Sequence, residues 1–222
     1  MNLDKPRGHV VFDCDGTLIS SEFGIYRAVS KLFSDYLNRP VTMEEVREKY
    51  VPDLRQLAEN FGVQAHDDPK VQKEMIKRFQ LMSARMGLNY ELFPGIKDLL
   101  LELGKANFLL YVWTGRDRKT TLEILKKLDV AKYFLDFRCV DDTTPKPHPQ
   151  GIFELVGNDC PKDKVIVIGD SYTDIRGARS FGCQSIGCTW SEYANNGQLE
   201  NEGADFIVNE PKDCLDIILK HK

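Results

Sequence analysis

Three apolar runs in this sequence each end in a polar residue whose presence packing alone does not explain. The runs are HVVFD, ending at Asp13, NFLLYVWT, ending at Thr114, and KVIVIGD, ending at Asp170. Continuous apolar runs of this kind are typical of strands buried on both faces of a parallel sheet. Shorter strand candidates are FRCV (137–140), QSIGC (184–188) and ADFIV (204–208). The sequence therefore favours a fold that buries a sheet between layers of helices.

Helical patterns alternate with these strands. Apolar residues recur at helical spacing in GIKDLLLELG and in DRKTTLEILKKLD. Gly182 predicts the end of the helix in SYTDIRGARSFG, and Pro211 suits the first turn of a last helix. Strands that alternate with helices indicate an α/β fold, which we predict to be a Rossmann-like parallel sheet flanked by helices.

Residues 20–90 interrupt this alternation, because no strand-like run occurs there. A first helix is predicted to end at NRP, Thr42 and Glu45 form a capping-box pattern, and Gly62 and Pro69 suggest a helix end and a helix start. We therefore predict an all-helical domain over residues 20–90, inserted into an α/β core domain made of residues 1–19 and 91–222. Its joints are expected around Ser20 and in LNYELFPG.

Composition excludes several classes of function. With 222 residues and a formal net charge of −4, the chain offers no basic field for nucleic acid and no polybasic membrane anchor. The N-terminal sequence lacks the apolar stretch of a signal peptide, so we expect a cytoplasmic protein with no membrane partner, either monomer or dimer. The six cysteines and four histidines are scattered, which favours reduced thiols over disulfides or structural zinc.

The polar residues at the strand ends point to one site. Asp13, Asp15, Thr114 and Asp170 follow strands whose carboxyl ends meet at one edge of a parallel sheet, and Lys146 follows a shorter strand. Carboxylates suit Mg²⁺, while a lysine and a hydroxyl suit phosphate oxygens. A calcium loop starting at Asp13 is excluded, because its sixth and twelfth positions would be Leu18 and Gly24.

Two acids two positions apart also have a chemical explanation. A carboxylate can attack phosphorus to form an aspartyl phosphate, which divides one difficult displacement into two easier ones. The second carboxyl can protonate the leaving oxygen and later deprotonate the attacking water. Alternate residues of an extended segment point to the same side, so Asp13 and Asp15 suit this division of labour.

The motifs FDCDGTL, VWTGR, TTPKPHP and IGDSYTD, in this order, resemble the four signature motifs of the haloacid dehalogenase-like superfamily. The resemblance covers essentially the whole chain. It is to the branch of small phosphatases with a helical cap inserted after the first motif, such as phosphoglycolate phosphatases and β-phosphoglucomutases. Cys14 stands where that family often has a bulkier apolar residue.

The resemblance implies a role for each motif residue. Asp13 would be the nucleophile, Asp15 the general acid and base, and Lys146 would hold the nucleophile and the phosphate. Thr114 and the backbone of Gly115 would bind the transferring phosphoryl group. The magnesium ligands would be the side chains of Asp13 and Asp170 and the backbone carbonyl of Asp15, with Asp174 joining directly or through water.

The function implied by the resemblance is a Mg²⁺-dependent phosphatase that hydrolyses a small-metabolite phosphomonoester through an aspartyl phosphate, in the manner of phosphoglycolate phosphatase. A β-phosphoglucomutase-like phosphomutase is the alternative among enzymes. A phosphoacceptor signalling domain without turnover is a third reading, but it would lack both the helical insert and an acid at the position of Asp15. An inactive scaffold is disfavoured by the complete motif set.

Several residues have a structural explanation beside the functional one. Thr114 could cap the following helix, although Asp117 competes for that position, and Asp174 forms a capping-box pattern with Ser171. Arg116 and His148 adjoin motif residues and are candidates for substrate contact, but we interpret both as solvated surface side chains. In the insert, Arg55, Lys49 and Tyr50 lie near the turn at Pro52 and are candidates for contact with an anionic substrate, Arg55 above all.

Overall fold

The computed structural model describes residues 5–51, 53–85, 90–191 and 194–221. The chain divides into two compact units, Met1–Ser20 together with Glu91–Lys222, and Ser21–Tyr90. The larger unit contains the sheet, and the regular structure in the described residues of the smaller unit is all helical.

The larger unit is built on a six-stranded parallel sheet. Its strands, with the two strands of a separate ribbon, are β1 (Gly8–Phe12), β2 (Ile19–Ser20), β3 (Glu91–Leu92), β4 (Phe108–Trp113), β5 (Asp136–Arg138), β6 (Val165–Gly169), β7 (Gln184–Cys188) and β8 (Phe206–Val208). The order in the main sheet is β5-β4-β1-β6-β7-β8, with every neighbouring pair parallel. The predicted α/β class is confirmed.

α-Helices make up most of the remaining regular structure. They are α1 (Glu22–Leu37), α2 (Met43–Lys49), α3 (Leu54–Asn60), α4 (Pro69–Arg85), α5 (Ile96–Lys105), α6 (Arg118–Lys127), α7 (Gln150–Val156), α8 (Tyr172–Phe181), α9 (Asn196–Asn201) and α10 (Pro211–His221). The predicted end of α8 at Gly182 is confirmed, since this residue adopts the left-handed conformation at the helix C-cap (φ 90°). The short helices α7 and α9 were not anticipated from the sequence.

Strand β1 lies inside the sheet with β4 on one side and β6 on the other. Its residues Val10, Val11 and Phe12 have no exposed surface, as expected for a parallel strand covered on both faces. The predicted strands at 137–140 and 204–208 are shorter than expected, at Asp136–Arg138 and Phe206–Val208. These two strands lie at the sheet edges, where pairing is available on one side only.

The smaller unit consists of α1 to α4. Its helices start and end where the sequence indicates: Thr42 Oγ1 accepts the backbone N–H of Glu45 at 3.1 Å, and α1 ends at the left-handed Asn38. Phe33 of α1 stacks on Phe61 with ring centroids 4.2 Å apart, which joins the first and third helices. Pro52 and residues 88–89, named above as a turn and part of a joint, lie outside the described residues.

A two-stranded antiparallel ribbon, absent from the sequence prediction, occurs where the chain enters and leaves the helical segment. Ile19 of β2 pairs with Leu92 of β3, and Ser20 pairs with Glu91. With two residues each, these strands are too short to give a sequence pattern. Among the residues that the structure describes, no helix is both long and apolar enough to cross a bilayer.

Candidate active site

Three polar residues follow directly after three neighbouring strands of the sheet. Asp13 follows β1, Thr114 follows β4 and Asp170 follows β6. Because β1 lies between β4 and β6 and all three run parallel, their carboxyl ends form one contiguous edge. Polar groups collected at this edge of an open parallel sheet lie where such folds place their functional crevice.

Lys146 joins two of the acids. Its Nζ lies 2.5 Å from Oδ1 of Asp13 and 2.5 Å from Oδ1 of Asp174. The Lys146 side chain is 7% exposed, the Asp13 side chain 9% and the Asp174 side chain 0%, so both ion pairs are almost entirely removed from water. Each of these three buried groups is stabilised by the opposite charge beside it, because removal of one partner leaves an uncompensated charge in the interior.

Asp174 serves the helix and the charge cluster at once. Its Oδ2 accepts hydrogen bonds from the backbone N–H and the hydroxyl of Ser171, at 3.1 and 2.7 Å, as the capping-box pattern predicts. Its other oxygen binds Lys146. The first turn of α8 therefore fixes this carboxylate in one orientation, and the two interpretations made from the sequence are compatible.

Burial and charge act in opposite directions on the protonation of this cluster. Burial raises the pKa of Asp13 to about 7, although the ammonium of Lys146 acts to lower it. For Lys146, burial alone would lower the pKa, but the charges of Asp13 and Asp174 outweigh it and raise the pKa above the ordinary value. Lys146 is therefore held as an ammonium, and Asp13 gains from any further cation placed beside it.

A divalent metal ion fits the acids of this edge. Asp13, Asp170 and Asp174 each offer a carboxylate oxygen, and the three oxygens lie within 4.8 Å of one another. Lys146 pairs with two of these acids, Asp13 and Asp174. Three clustered carboxylate oxygens suit a hard divalent cation such as Mg²⁺.

Thr114 is buried, with 3% of its surface exposed. It does not cap α6; that position belongs to Asp117, whose side chain accepts the backbone N–H of Thr120 at 3.0 Å. Thr114 Oγ1 instead accepts the backbone N–H of Arg116 at 3.1 Å. Gly115 is exposed beside it, at the same strand end.

The interpretation of Arg116 from the sequence was wrong. We expected a solvated surface side chain, but the Arg116 side chain is only 13% exposed and forms an ion pair with Asp15. Its Nε lies 3.0 Å from Oδ2 and its Nη2 lies 2.5 Å from Oδ1, so each carboxylate oxygen has its own donor. The sequence signal for this contact is indirect: an arginine three residues after the end of β4 meets an acid three residues after the end of β1.

Trp113 lies beside the cluster but was not among the site residues predicted from the sequence. The Nζ of Lys146 lies 4.8 Å from the centroid of its ring, within cation–π range. The indole is 1% exposed and lies close to two glycines, Gly151 of α7 and Gly177 of α8. A β-carbon at either glycine would lie within 2.5 Å of an indole atom, so both positions must lack a side chain for the ring to lie here.

The remaining candidates lie apart from this cluster or in the helical unit. His148 is exposed, as expected, and its Nδ1 accepts the backbone N–H of Gln150 at 3.2 Å. Arg55 is 63% exposed and pairs with Asp67 at 2.6 Å, while Lys49 pairs with Glu45 at 2.9 Å. Contact between Arg55 and a substrate stays a prediction, which an unchanged KM in the R55A variant would contradict.

A cavity of about 660 Å³ opens at the other end of the sheet. Lys164, which precedes β6, and Gln184, which begins β7, line it, so it lies at the amino ends of these strands. The charged cluster follows the carboxyl ends and is therefore separate from this cavity.

The chain is similar in sequence and in fold to known hydrolases. The model of the haloacid dehalogenase-like hydrolase family matches residues 10–188. A phosphoglycolate phosphatase of Vibrio cholerae is 27% identical, over 95% of this chain and 96% of the relative. A pyrophosphatase of Oceanobacillus iheyensis is 27% identical, over 94% and 95%. A solved haloacid dehalogenase-like hydrolase of Streptococcus pneumoniae superposes with a TM-score of 0.78 at 26% identity, over 95% of this chain and 97% of the other.

Proposed function

The chain belongs to the haloacid dehalogenase-like hydrolases, and from this premise we propose that it is a Mg²⁺-dependent phosphatase acting on a small-metabolite phosphomonoester. The observation that carries the proposal is the bridge of Lys146 between Asp13 and Asp174, with Asp170 beside it, at the carboxyl edge of the sheet. The phosphoglycolate phosphatase of Vibrio cholerae supports a phosphorylated small acid as the substrate.

Asp13 is the nucleophile in this proposal. Lys146 binds its Oδ1, so the other oxygen attacks phosphorus while the bond from phosphorus to the leaving oxygen breaks, which gives an aspartyl phosphate on Asp13. Water then attacks the same phosphorus, phosphate leaves, and the Asp13 carboxylate is restored. Thr114 and the backbone of Gly115 bind oxygens of the transferring group.

Asp15 moves the protons. It is protonated when the substrate binds, donates this proton to the leaving oxygen in the first step and regains one from the attacking water in the second, so it ends each turnover protonated again. Its side chain is 24% exposed, against 9% for Asp13, so it retains more contact with the solvent than the nucleophile does.

The acids themselves create an electrostatic difficulty that cations must offset. A carboxylate 4 Å from a phosphate charge is repelled by about 4 kcal/mol at an effective dielectric constant near 20. A Mg²⁺ ion held by Asp13, Asp170 and the backbone carbonyl of Asp15, with Asp174 beside it, would supply positive charge to the attacked phosphoryl group. Lys146 contributes a fixed positive charge at the same place.

Phosphate release from a panel of esters tests this function. The panel contains phosphoglycolate, sugar phosphates, pyrophosphate and 4-nitrophenyl phosphate, each with Mg²⁺ and with chelator. We expect release to require the metal and to fall at least ~10³-fold in D13N, because a nucleophile and its activation are lost together. The control is D216N, which removes an exposed carboxylate on α10 and should leave the rate unchanged.

Trapping then tests the intermediate. Acid quench followed by borohydride reduction converts an aspartyl phosphate to homoserine, and peptide mass spectrometry is expected to find it at position 13. Release that persists in D13N, or reduction at another residue, would overturn the assignment of the nucleophile. An isomerised sugar phosphate without phosphate release would replace the phosphatase by a phosphomutase.

A further inference from the structure

The ion pair between Arg116 and Asp15 is more constrained than a surface salt bridge. Both oxygens of Asp15 are bound by separate nitrogens of one guanidinium, and the two side chains are 13% and 24% exposed. A planar fork of two parallel hydrogen bonds fixes the plane of the carboxylate as well as its position. A single ammonium would fix neither to the same degree.

The backbone of Arg116 is itself held on both sides. Its N–H donates to Thr114 Oγ1 at 3.1 Å, and its carbonyl accepts the N–H of Val140 at 3.2 Å. The N–H of Thr114 in turn donates to the carbonyl of Arg138 at the end of β5. The guanidinium therefore extends from a turn that is attached to the ends of two strands, β4 and β5.

We propose that Arg116 is a positioning residue that aims the carboxyl group of Asp15 at the leaving oxygen of the substrate. The inference rests on the proposed function, because it assigns Arg116 a task only if Asp15 transfers the proton. Arg116 acts through Asp15 and not on the phosphoryl group, whose charge would be met by Lys146 beside Asp13 and by a metal ion held by the carboxylates of Asp13 and Asp170.

If Arg116 positions Asp15, the effect of its loss should depend on the leaving group of the substrate. A residue that only binds substrate or supports the local structure would show no such dependence. The first step with an alkyl phosphate needs a proton on a strongly basic leaving oxygen, whereas 4-nitrophenolate leaves without one. Misplacing Asp15 should therefore lower kcat/KM for the alkyl ester and leave kcat/KM for the aryl ester nearly unchanged. Loss of a phosphate-binding group or of local structure would slow both, because they carry the same phosphoryl group.

The experiment compares kcat/KM for glycerol phosphate and 4-nitrophenyl phosphate in wild type, R116Q and R116K, since kcat/KM reports the step in which the leaving group departs. In R116Q we expect kcat/KM to fall ~10- to 100-fold for the alkyl ester, within the range of general acid catalysis, and less than ~3-fold for the aryl ester. R116K should resemble R116Q, because it keeps the charge but loses the fork. A parallel loss for both esters, no loss, or full rescue by R116K would overturn the proposal.

Two controls separate this inference from the function on which it rests. R118Q removes the next arginine along the chain, which pairs with Asp142, and both esters should be unaffected. D15N should show the same ester dependence as R116Q, with a larger loss. If kcat/KM for both esters is unchanged in D15N, the proposed role of Asp15 is wrong. If D15N lowers kcat/KM mainly for the alkyl ester and R116Q does not, only the positioning role of Arg116 is wrong. Thermal melts confirm that each variant is folded.

Discussion

The carboxylate of Asp174 occupies the space that a side chain at position 169 would need. A β-carbon on Gly169 would lie 2.2 Å from Cγ and 2.4 Å from Oδ2 of Asp174. Gly169 is the last residue of β6 and directly precedes Asp170, so the close approach of α8 to this strand end is what brings Asp174 to Lys146. The glycine is required here for space, since its backbone dihedral is not in the left-handed region.

The G169A variant should therefore displace Asp174. We expect kcat to fall ~10- to 100-fold, because small misplacements in an active site have effects of this size. We also expect a loss of about 1–3 kcal/mol in the free energy of unfolding from overpacking, measured by urea denaturation.

The matched control for G169A is G104A, since Gly104 lies in α5 with nothing near its virtual β-carbon. This variant should gain about 0.5–1 kcal/mol of stability and keep full activity. If G169A keeps full activity, then the position of Asp174 is irrelevant to catalysis.

The G177A variant tests the packing of Trp113 against Gly177 of α8. A β-carbon at position 177 would lie 2.2 Å from Cη2 of the indole, whose ring lies beneath the ammonium of Lys146. We expect a loss of about 1–3 kcal/mol in unfolding free energy together with a lower kcat.

A double-mutant cycle with W113F isolates the clash, because phenylalanine lacks the outer ring atoms that the new methyl group would meet. G177A should cost at least ~1 kcal/mol less in the W113F background than in wild type. Equal costs in both backgrounds would show that the glycine is needed for another reason.

The thiols of this protein should be largely inert. Burial raises the pKa of Cys14 well above its ordinary value, and the nearby carboxylate of Asp15 adds to the effect. Cys14, Cys139, Cys188 and Cys214 are buried, whereas Cys160 and Cys183 are partly exposed. We expect at most two of the six thiols of the native protein to react with a disulfide reagent within minutes, without loss of activity.

Peptide mapping identifies which thiols have reacted. The C160S/C183S variant should be unreactive until it is unfolded in guanidinium, when four thiols become titratable. Label found on Cys14 in the native enzyme would contradict the prediction and indicate that the first motif opens to solvent.

His9 makes the stability of the fold depend on pH. It lies in β1, half-buried, with its ring stacked on Tyr111 at a centroid distance of 5.8 Å. Burial lowers the pKa of His9 below 6.5, so the unfolded chain takes up a proton before the folded protein does as the pH falls. The stability that the neutral imidazole contributes is present above pH 6.5 and is lost progressively below it.

Urea denaturation at a series of pH values from 7.5 downward measures this effect. The unfolding free energy of H9Q should decline less steeply below pH 6.5 than that of wild type. H148Q, which changes an exposed histidine, should decline as wild type does. A slope in H9Q equal to that of wild type would assign the acid sensitivity to other groups.

Much of this protein is determined locally. The apolar runs before Asp13, Thr114 and Asp170 are buried strands, and the capping-box pattern of Ser171 and Asp174 forms as predicted. Such features can be predicted from sequence because strand burial and helix capping depend on residues within one segment. The strand ends of a parallel sheet also share one edge, which is enough to expect that these acids meet.

Tertiary structure alone decided the contacts that complete the site. Arg116 and Asp15 are 101 positions apart, and their meeting depends on β4 being the direct neighbour of β1. Gly177 accommodates Trp113 only because α8 packs against that part of the sheet. No periodicity within a segment encodes these approaches, because they are set by the order of strands and by the distance between layers. The sequence by itself therefore specified which residues are available for the chemistry, and the packing of helices on the sheet decided how each of them is held.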